Sequence, residues 1–228
     1  MTQSARDLEN TFERAWYLLL HNWIIIVPGI VFGLVGSGLT SLVTELGSHI
    51  SDTLVEVSAL IVWTVIAVVQ LSYSTGMAGA AWARERARLS DGWSAFTHRG
   101  WQITLAMIAL MALGIVAAAL AKFTFLISLL AYMVFFIYTM ASVIIGERDP
   151  LHALGESCRL AFRNMLPTLV VVVLIALIAA AGGWIGTLVG GLAGPVGGAI
   201  AGLLQQAIVA YASLVIVGEY AKLRRPTE

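Results

Sequence analysis

Glu45, His49, Asp52 and Glu56 follow one another at spacings of four, three and four, a repeat that would stack all four on one side of a helix. Three carboxylates and an imidazole can hold a divalent cation, which makes them the chain's one candidate metal set. The plainer reading is the wet face of an amphipathic loop helix whose apolar stripe is Leu42, Leu46, Ile50 and Leu54, and Gly47 weakens any helix there. A second group, Gln70, Gln205 and Gln206 with Ser72 and Ser74, holds the deepest polar side chains of otherwise apolar stretches. Such carboxamides either hydrogen-bond between helices or line a path for a solute; the first is the expectation. Glu56, Lys122 and Glu219 fall at the ends of apolar stretches, so no mid-stretch ionisable group is expected. His21, His98 and His152 are isolated, and no Ser/His/Asp set, phosphate loop or HExxH spacing occurs. Cys158 is the single cysteine, which excludes an intramolecular disulfide. Neither catalysis nor a cofactor is expected.

The elements that must position these residues are apolar. The 228-residue chain is 59% hydrophobic and 11% charged, with a mean hydropathy of +0.90, far from the charged quarter of a soluble domain. Apolar segments run roughly over 23–43, 54–74, 101–121, 123–145, 168–190 and 199–221. Each has about the twenty residues that cross a ~30 Å hydrocarbon core at 1.5 Å per residue. The stretch 101–145 read as one helix would be roughly 68 Å long, so a tight turn is expected at Ala121-Lys122-Phe123. Glycines flanking Pro195, from Gly190 to Gly198, place another turn before the last segment.

With the N-terminus in the cytoplasm, every one of the 13 Lys and Arg residues except Lys122 falls inside. Lys and Arg resist translocation, and Asp and Glu hardly count. Both termini are therefore expected in the cytoplasm, in a cell (inner) membrane. About twenty residues, several charged, precede the first segment with no small-residue cleavage pattern, so a retained first helix is expected rather than a signal peptide. No basic tract suggests nucleic acid.

Each inner segment carries an amphipathic pattern. In 1–22, Ser4 and Asp7 resemble an N-cap pair, and Leu8, Phe12, Trp16 and Leu19 share a face. In 84–100, Asp91 is a cap candidate ahead of Trp93 and Phe96. In 146–164, Asp149-Pro150 supplies an N-cap and a first-turn proline, with Leu151, Leu154, Cys158, Ala161 and Phe162 opposite His152, Glu156, Arg159 and Arg163. Such helices lie comfortably at the membrane interface. The expected contacts with lipid or a partner are Arg159, Arg163, Trp16, Trp93 and Phe162. Each pattern precedes an inside-to-outside segment, which suggests a threefold repeat of interfacial helix plus transmembrane hairpin.

The stretch from Asp149 to Asn164 resembles a Pro-x-x-Ala-Leu-x-x-Ser…Arg-Asn element of a broad prokaryotic family. That family includes the membrane domain fused to some glycerophosphoryl diester phosphodiesterases and many standalone six-span proteins. Trp16 to Asn22 is a weaker version of the same element. The resemblance implies a six-helix integral membrane protein. It does not imply diesterase activity, which in that family belongs to a separate soluble domain.

Glycine supplies the last pattern. Gly182, Gly186, Gly190, Gly194, Gly198 and Gly202 recur every fourth residue, and Gly29 and Gly33 do so in the first segment. Such positions let helix backbones approach closely, although Pro195 prevents one continuous stripe. The expectation is an all-α, polytopic helical bundle of six spans in one domain over 1–228. Its partners would be membrane lipid and a membrane or cytoplasmic protein; its oligomeric state is left open. An accessory or structural role is favoured over a permease or transporter subunit.

Overall fold

The computed structural model describes residues 3–47, 52–124 and 126–224. Helices are α1 (Gln3–His21), α2 (Ile26–Gly47), α3 (Asp52–Arg84), α4 (Leu89–Thr124), α5 (Ile127–Phe136), α6 (Thr139–Ile144), α7 (Pro150–Arg163) and α8 (Met165–Leu223), with a 3-10 turn at Trp23–Ile25. Among the described residues there is no strand. Six stretches are long and apolar enough to cross a membrane: Trp23–Glu45, Ser58–Arg84, Leu89–Thr124, Ile127–Ile144, Met165–Val189 and Gly197–Leu223. Their flanks carry exposed Leu34, Trp63, Ile115, Leu177 and Trp184, the surface an apolar solvent accepts.

Ion pairs draw the connecting segments to one end of the bundle. Arg14 meets Glu85 at 3.6 Å, Arg84 meets Asp91 at 2.7 Å, and Arg99 meets Glu147 at 3.2 Å. Glu156 lies between Arg148 (3.4 Å) and Arg224 (3.9 Å). The segments before α2, between α3 and α4, between α6 and α7, and after α8 therefore share a side, as an even number of crossings requires. The main core sits toward this end, where Leu18, Ile25, Met77, Tyr138, Leu214 and Tyr220 are buried together.

Several boundaries differ from expectation. Helix α4 continues to Thr124, and the reversal is marked by Leu126 in the left-handed region (φ 70°), a few residues past the expected turn. The 84–100 connector is not a separate helix, because α4 runs unbroken from Leu89 into the span. Asp91 is still a local anchor, its Oδ2 accepting the Arg88 N–H at 2.9 Å. Helix α1 begins before Ser4, so that residue does not stand outside the helix as an N-cap. The long segment α8 is made of two halves that lie side by side. A Cβ on Gly186 would meet Ala201 Cβ at 3.4 Å, and one on Gly182 would strike Ile208 Cδ1, contacts that only antiparallel halves allow. The chain therefore folds back between the two halves, as expected from the glycines around Pro195.

The glycines divide by what surrounds them. A Cβ on Gly29 would collide with the Gln206 carboxamide, and one on Gly33 would sit 3.5 Å from its Nε2. Gly198 and Gly202 have nothing within 4 Å of such an atom, so they do not serve helix packing within the chain; the surroundings of Gly190 lie outside the description. Gly186→Leu is expected to cost about 1–3 kcal/mol by forcing the two halves of α8 apart. Gly155→Ala, also with open space around it, is expected to be neutral or slightly stabilising. Thermal unfolding in detergent compares them, and equal shifts would contradict the close approach.

Candidate functional site

Helix α7 starts where Asp149 is extended (φ −65°, ψ 152°) and Pro150 presets the first turn. The Asp149 carboxylate makes no capping hydrogen bond; it lies 3.9 Å from His152 Nδ1. The buried face is Ala153, Ser157 and Ala161, one small residue every fourth position. Of the expected apolar stripe, Ala161 is buried and Leu154 and Cys158 are half-buried, while its outer members are open, Leu151 78% and Phe162 74% exposed. Small side chains face protein because they let α7 approach its neighbours closely, and large ones are left for the surroundings.

Ser157 uses that approach to enter the backbone of the fourth span. Its Oγ donates to Phe135 O at 2.7 Å and accepts the Tyr138 N–H at 3.1 Å. The inserted hydroxyl separates α5 from α6, a recognised cause of helix breaks. One turn away, Glu156 was expected on the wet stripe, but its side chain is only 18% exposed. Its Oε2 accepts from Ser142 Oγ at 2.6 Å and its Oε1 from the Tyr220 hydroxyl at 3.4 Å. Arg148 and Arg224 complete its surroundings. Close by, the Tyr138 and Thr168 hydroxyls are 3.3 Å apart.

The exit from α7 repeats the exit from α1. Asn164 (φ −126°, ψ 47°) and Asn22 (φ −129°, ψ 48°) have the same backbone conformation. Each donates its N–H and its Nδ2 to the carbonyl four residues back, Leu160 and Leu18 respectively. This asparagine elbow joins an amphipathic helix to a span in two of the three expected units. The third, at Gly100, lies within continuous helix α4, so the local repeat is twofold.

Between α7 and the last turn of α8 lies a groove of about 760 Å³, lined by Arg148, His152, Glu156, Arg159, Leu160, Arg163, Asn164 and Arg224 among others. Glu156 engages Arg148 and Arg224, whereas Arg159 and Arg163 are exposed and have no ion-pair partner among the described residues. Arg159 and Arg163 also border a second hollow of about 560 Å³ lined by Phe135, Cys158 and Phe162. There the Phe135 and Phe162 rings stack with centroids 6.4 Å apart. Burial pushes the Cys158 thiol up from its ordinary pKa.

The other singled-out residues lie elsewhere. Trp16 is exposed but edges against Tyr211 at 5.9 Å, and Trp93 is exposed near Phe96. Gln70 Nε2 donates to Gln206 Oε1 at 2.8 Å, joining α3 to α8, while Gln205 is exposed. The metal candidates do not share a helix: Glu45 belongs to α2, Asp52 and Glu56 to α3, and His49 lies outside the described residues. Among the described residues no group of three or more His, Cys, Asp or Glu could hold a metal. Sequence reasoning missed Glu219, placed at a span end but only 1% exposed, with Oε1 3.6 Å from Lys222 Nζ. It also missed Ser157 as a wedge, although Ser157 and Asn164 are the Ser and Asn of the Pro-x-x-Ala-Leu-x-x-Ser…Arg-Asn element.

The six apolar helices, with their connecting segments ion-paired at one end, define a multi-pass helical membrane protein. Comparison with protein-family models, curated proteins and solved structures finds no match.

Proposed function

We propose that the chain is an accessory or structural protein of the cell (inner) membrane, without catalysis, that organises lipid or a partner complex through α7. One observation carries this reading: α7 is held from beneath by Ser157 and Glu156 while Arg159, Arg163, Leu151 and Phe162 remain exposed. A helix so anchored presents cations and large apolar groups without having to fold on contact. Arg159→Glu with Arg163→Glu is expected to reduce hydrogen-exchange protection of residues 150–163 in nanodiscs of anionic lipid, with the spans unchanged. Unchanged protection together with loss of a copurifying protein would favour a partner over lipid. Failure of both would remove the reading.

The orientation in this reading, with both termini cytoplasmic, rests on the charge distribution. Cys158 supplies its test. A membrane-impermeant maleimide is expected to label Cys158 after lysis and not in intact cells. Its rate should climb as the pH rises toward the elevated thiol pKa, because the thiolate is the nucleophile. Labelling in intact cells would reverse the orientation.

The alternative, a permease or transporter subunit, is favoured by the buried Glu219, whose Oε1 meets Lys222 Nζ at 3.6 Å but accepts no hydrogen bond among the described residues. Ionisable groups within spans commonly mark ion or solute paths. Copurification of an ATPase, or solute uptake by proteoliposomes that Glu219→Gln abolishes, would select it.

A further inference from the structure

We infer that the groove between α7 and the end of α8 is a binding site for one anionic glycerophospholipid, its phosphate held by Arg159 and Arg163 and an acyl chain lying against Phe135 and Phe162. This rests on the reading that α7 meets lipid, and it adds a defined site and a ligand class. Two features of the cavity carry it. The polar side holds four arginines, Arg148, Arg159, Arg163 and Arg224, against the single carboxylate Glu156. Glu156 already engages Arg148 and Arg224, which leaves the other two guanidinium groups for an incoming anion. Guanidinium forks match phosphate oxygens two at a time.

The second feature is that a polar and an apolar hollow adjoin, with Arg159 and Arg163 in the lining of both. The apolar one is floored by Phe135 and Phe162. A soluble phosphate would fill only the first compartment, and an uncharged hydrocarbon only the second. A molecule with a phosphate at one end and a chain at the other fills both. Cytoplasmic cations in general are drawn to anionic headgroups, but the other exposed arginines of this end, such as Arg86 and Arg88, do not line this groove.

The test is native mass spectrometry of the full chain in detergent with added phosphatidylglycerol or phosphatidylcholine of matched chains. One phosphatidylglycerol is expected to be retained and phosphatidylcholine lost. Arg159→Gln with Arg163→Gln should lower that retention by on the order of tenfold or more, and Phe162→Ala should lower it several-fold. Arg86→Gln with Arg88→Gln removes equal charge from the same end and should change nothing. Equal retention of both lipids, or equal loss in the two double variants, would overturn the site. Complete displacement by excess glycerol 3-phosphate would also overturn it, since the headgroup alone would then suffice. Unaltered melting temperatures establish that the variants are folded, and Arg159→Lys with Arg163→Lys, which keeps the charge, should restore part of the binding in any case. Charge-dependent protection of residues 150–163 without a retained lipid would sink the site alone and leave the broader reading of α7 standing.

Discussion

Ser157→Ala is expected to destabilise the protein by about 2–5 kcal/mol, because it orphans the Phe135 carbonyl and the Tyr138 N–H together. A buried polar backbone group left without its partner costs about 1–3 kcal/mol, and Ser157 serves one of each. The loss should appear as a lower unfolding temperature in detergent and as faster amide exchange at Tyr138, while the distant outer turn near Leu126 keeps its exchange rates. The competing outcome is instructive. If α5 and α6 can rejoin as one regular helix once the hydroxyl is gone, the Tyr138 N–H would find a helical carbonyl and stability would hardly change. An unchanged unfolding temperature would therefore show that the break is tolerated by the span and not required by it.

The second large effect is expected at Asn22. Its buried side chain donates from Nδ2 to the Leu18 and Glu85 carbonyls, at 3.0 and 3.1 Å, and accepts the Ala87 N–H at 2.7 Å on Oδ1. It ties the first elbow to the α3–α4 connection, where Glu85 adopts a left-handed backbone (φ 59°). Asn22→Ala should cost about 2–4 kcal/mol, since two long-range bonds to backbone groups vanish with the local one. Asn164→Ala removes only the bond to the Leu160 carbonyl at 3.1 Å, and about 0.5–1.5 kcal/mol is expected. Urea or thermal unfolding of the two variants side by side separates the elbow's own contribution from that of the loop it holds. Equal losses would show that the contact with residues 85–87 contributes nothing.

The contrast between these residues shows what the sequence could and could not reveal. The spans and the shared side of their connections were legible because a bilayer fixes the length of an apolar helix and penalises translocated cations, both of which are properties of composition along the chain. The facing of α7 was not legible by the same logic. Hydropathy ranks Leu151 and Phe162 above Ala153 and Ser157, but in a membrane protein large apolar residues are as comfortable against lipid as against protein, and small ones decide where helices touch. Ser157 was visible as part of a motif, yet its action depends on α7 folding back on α5 and α6, a tertiary event with no periodicity. Glu156 was misread for a related reason. Its place on the polar stripe is genuine, but the groups that cover it, Ser142, Tyr220, Arg148 and Arg224, come from three separate parts of the chain. Glu45 falls on α2 and Asp52 and Glu56 on α3, two helices where the spacing of the Glu45, His49, Asp52 and Glu56 set assumed one, and His49 lies outside the described residues.

The wedge also imposes an order of events during synthesis. Phe135 precedes Ser157 by 22 residues, so the fourth span leaves the ribosome before the hydroxyl that completes its backbone. Until α7 has been made and has folded back, that span carries a carbonyl and an amide without their final partners. Groups of that kind are costly wherever water is absent. Before α7 arrives, the span must either leave the two groups unpaired or close them in a regular helix that α7 later opens. A chain that ends before Ser157 would lack the hydroxyl that serves both groups, so a four-span fragment should show whether the fourth span has a second way to pair them.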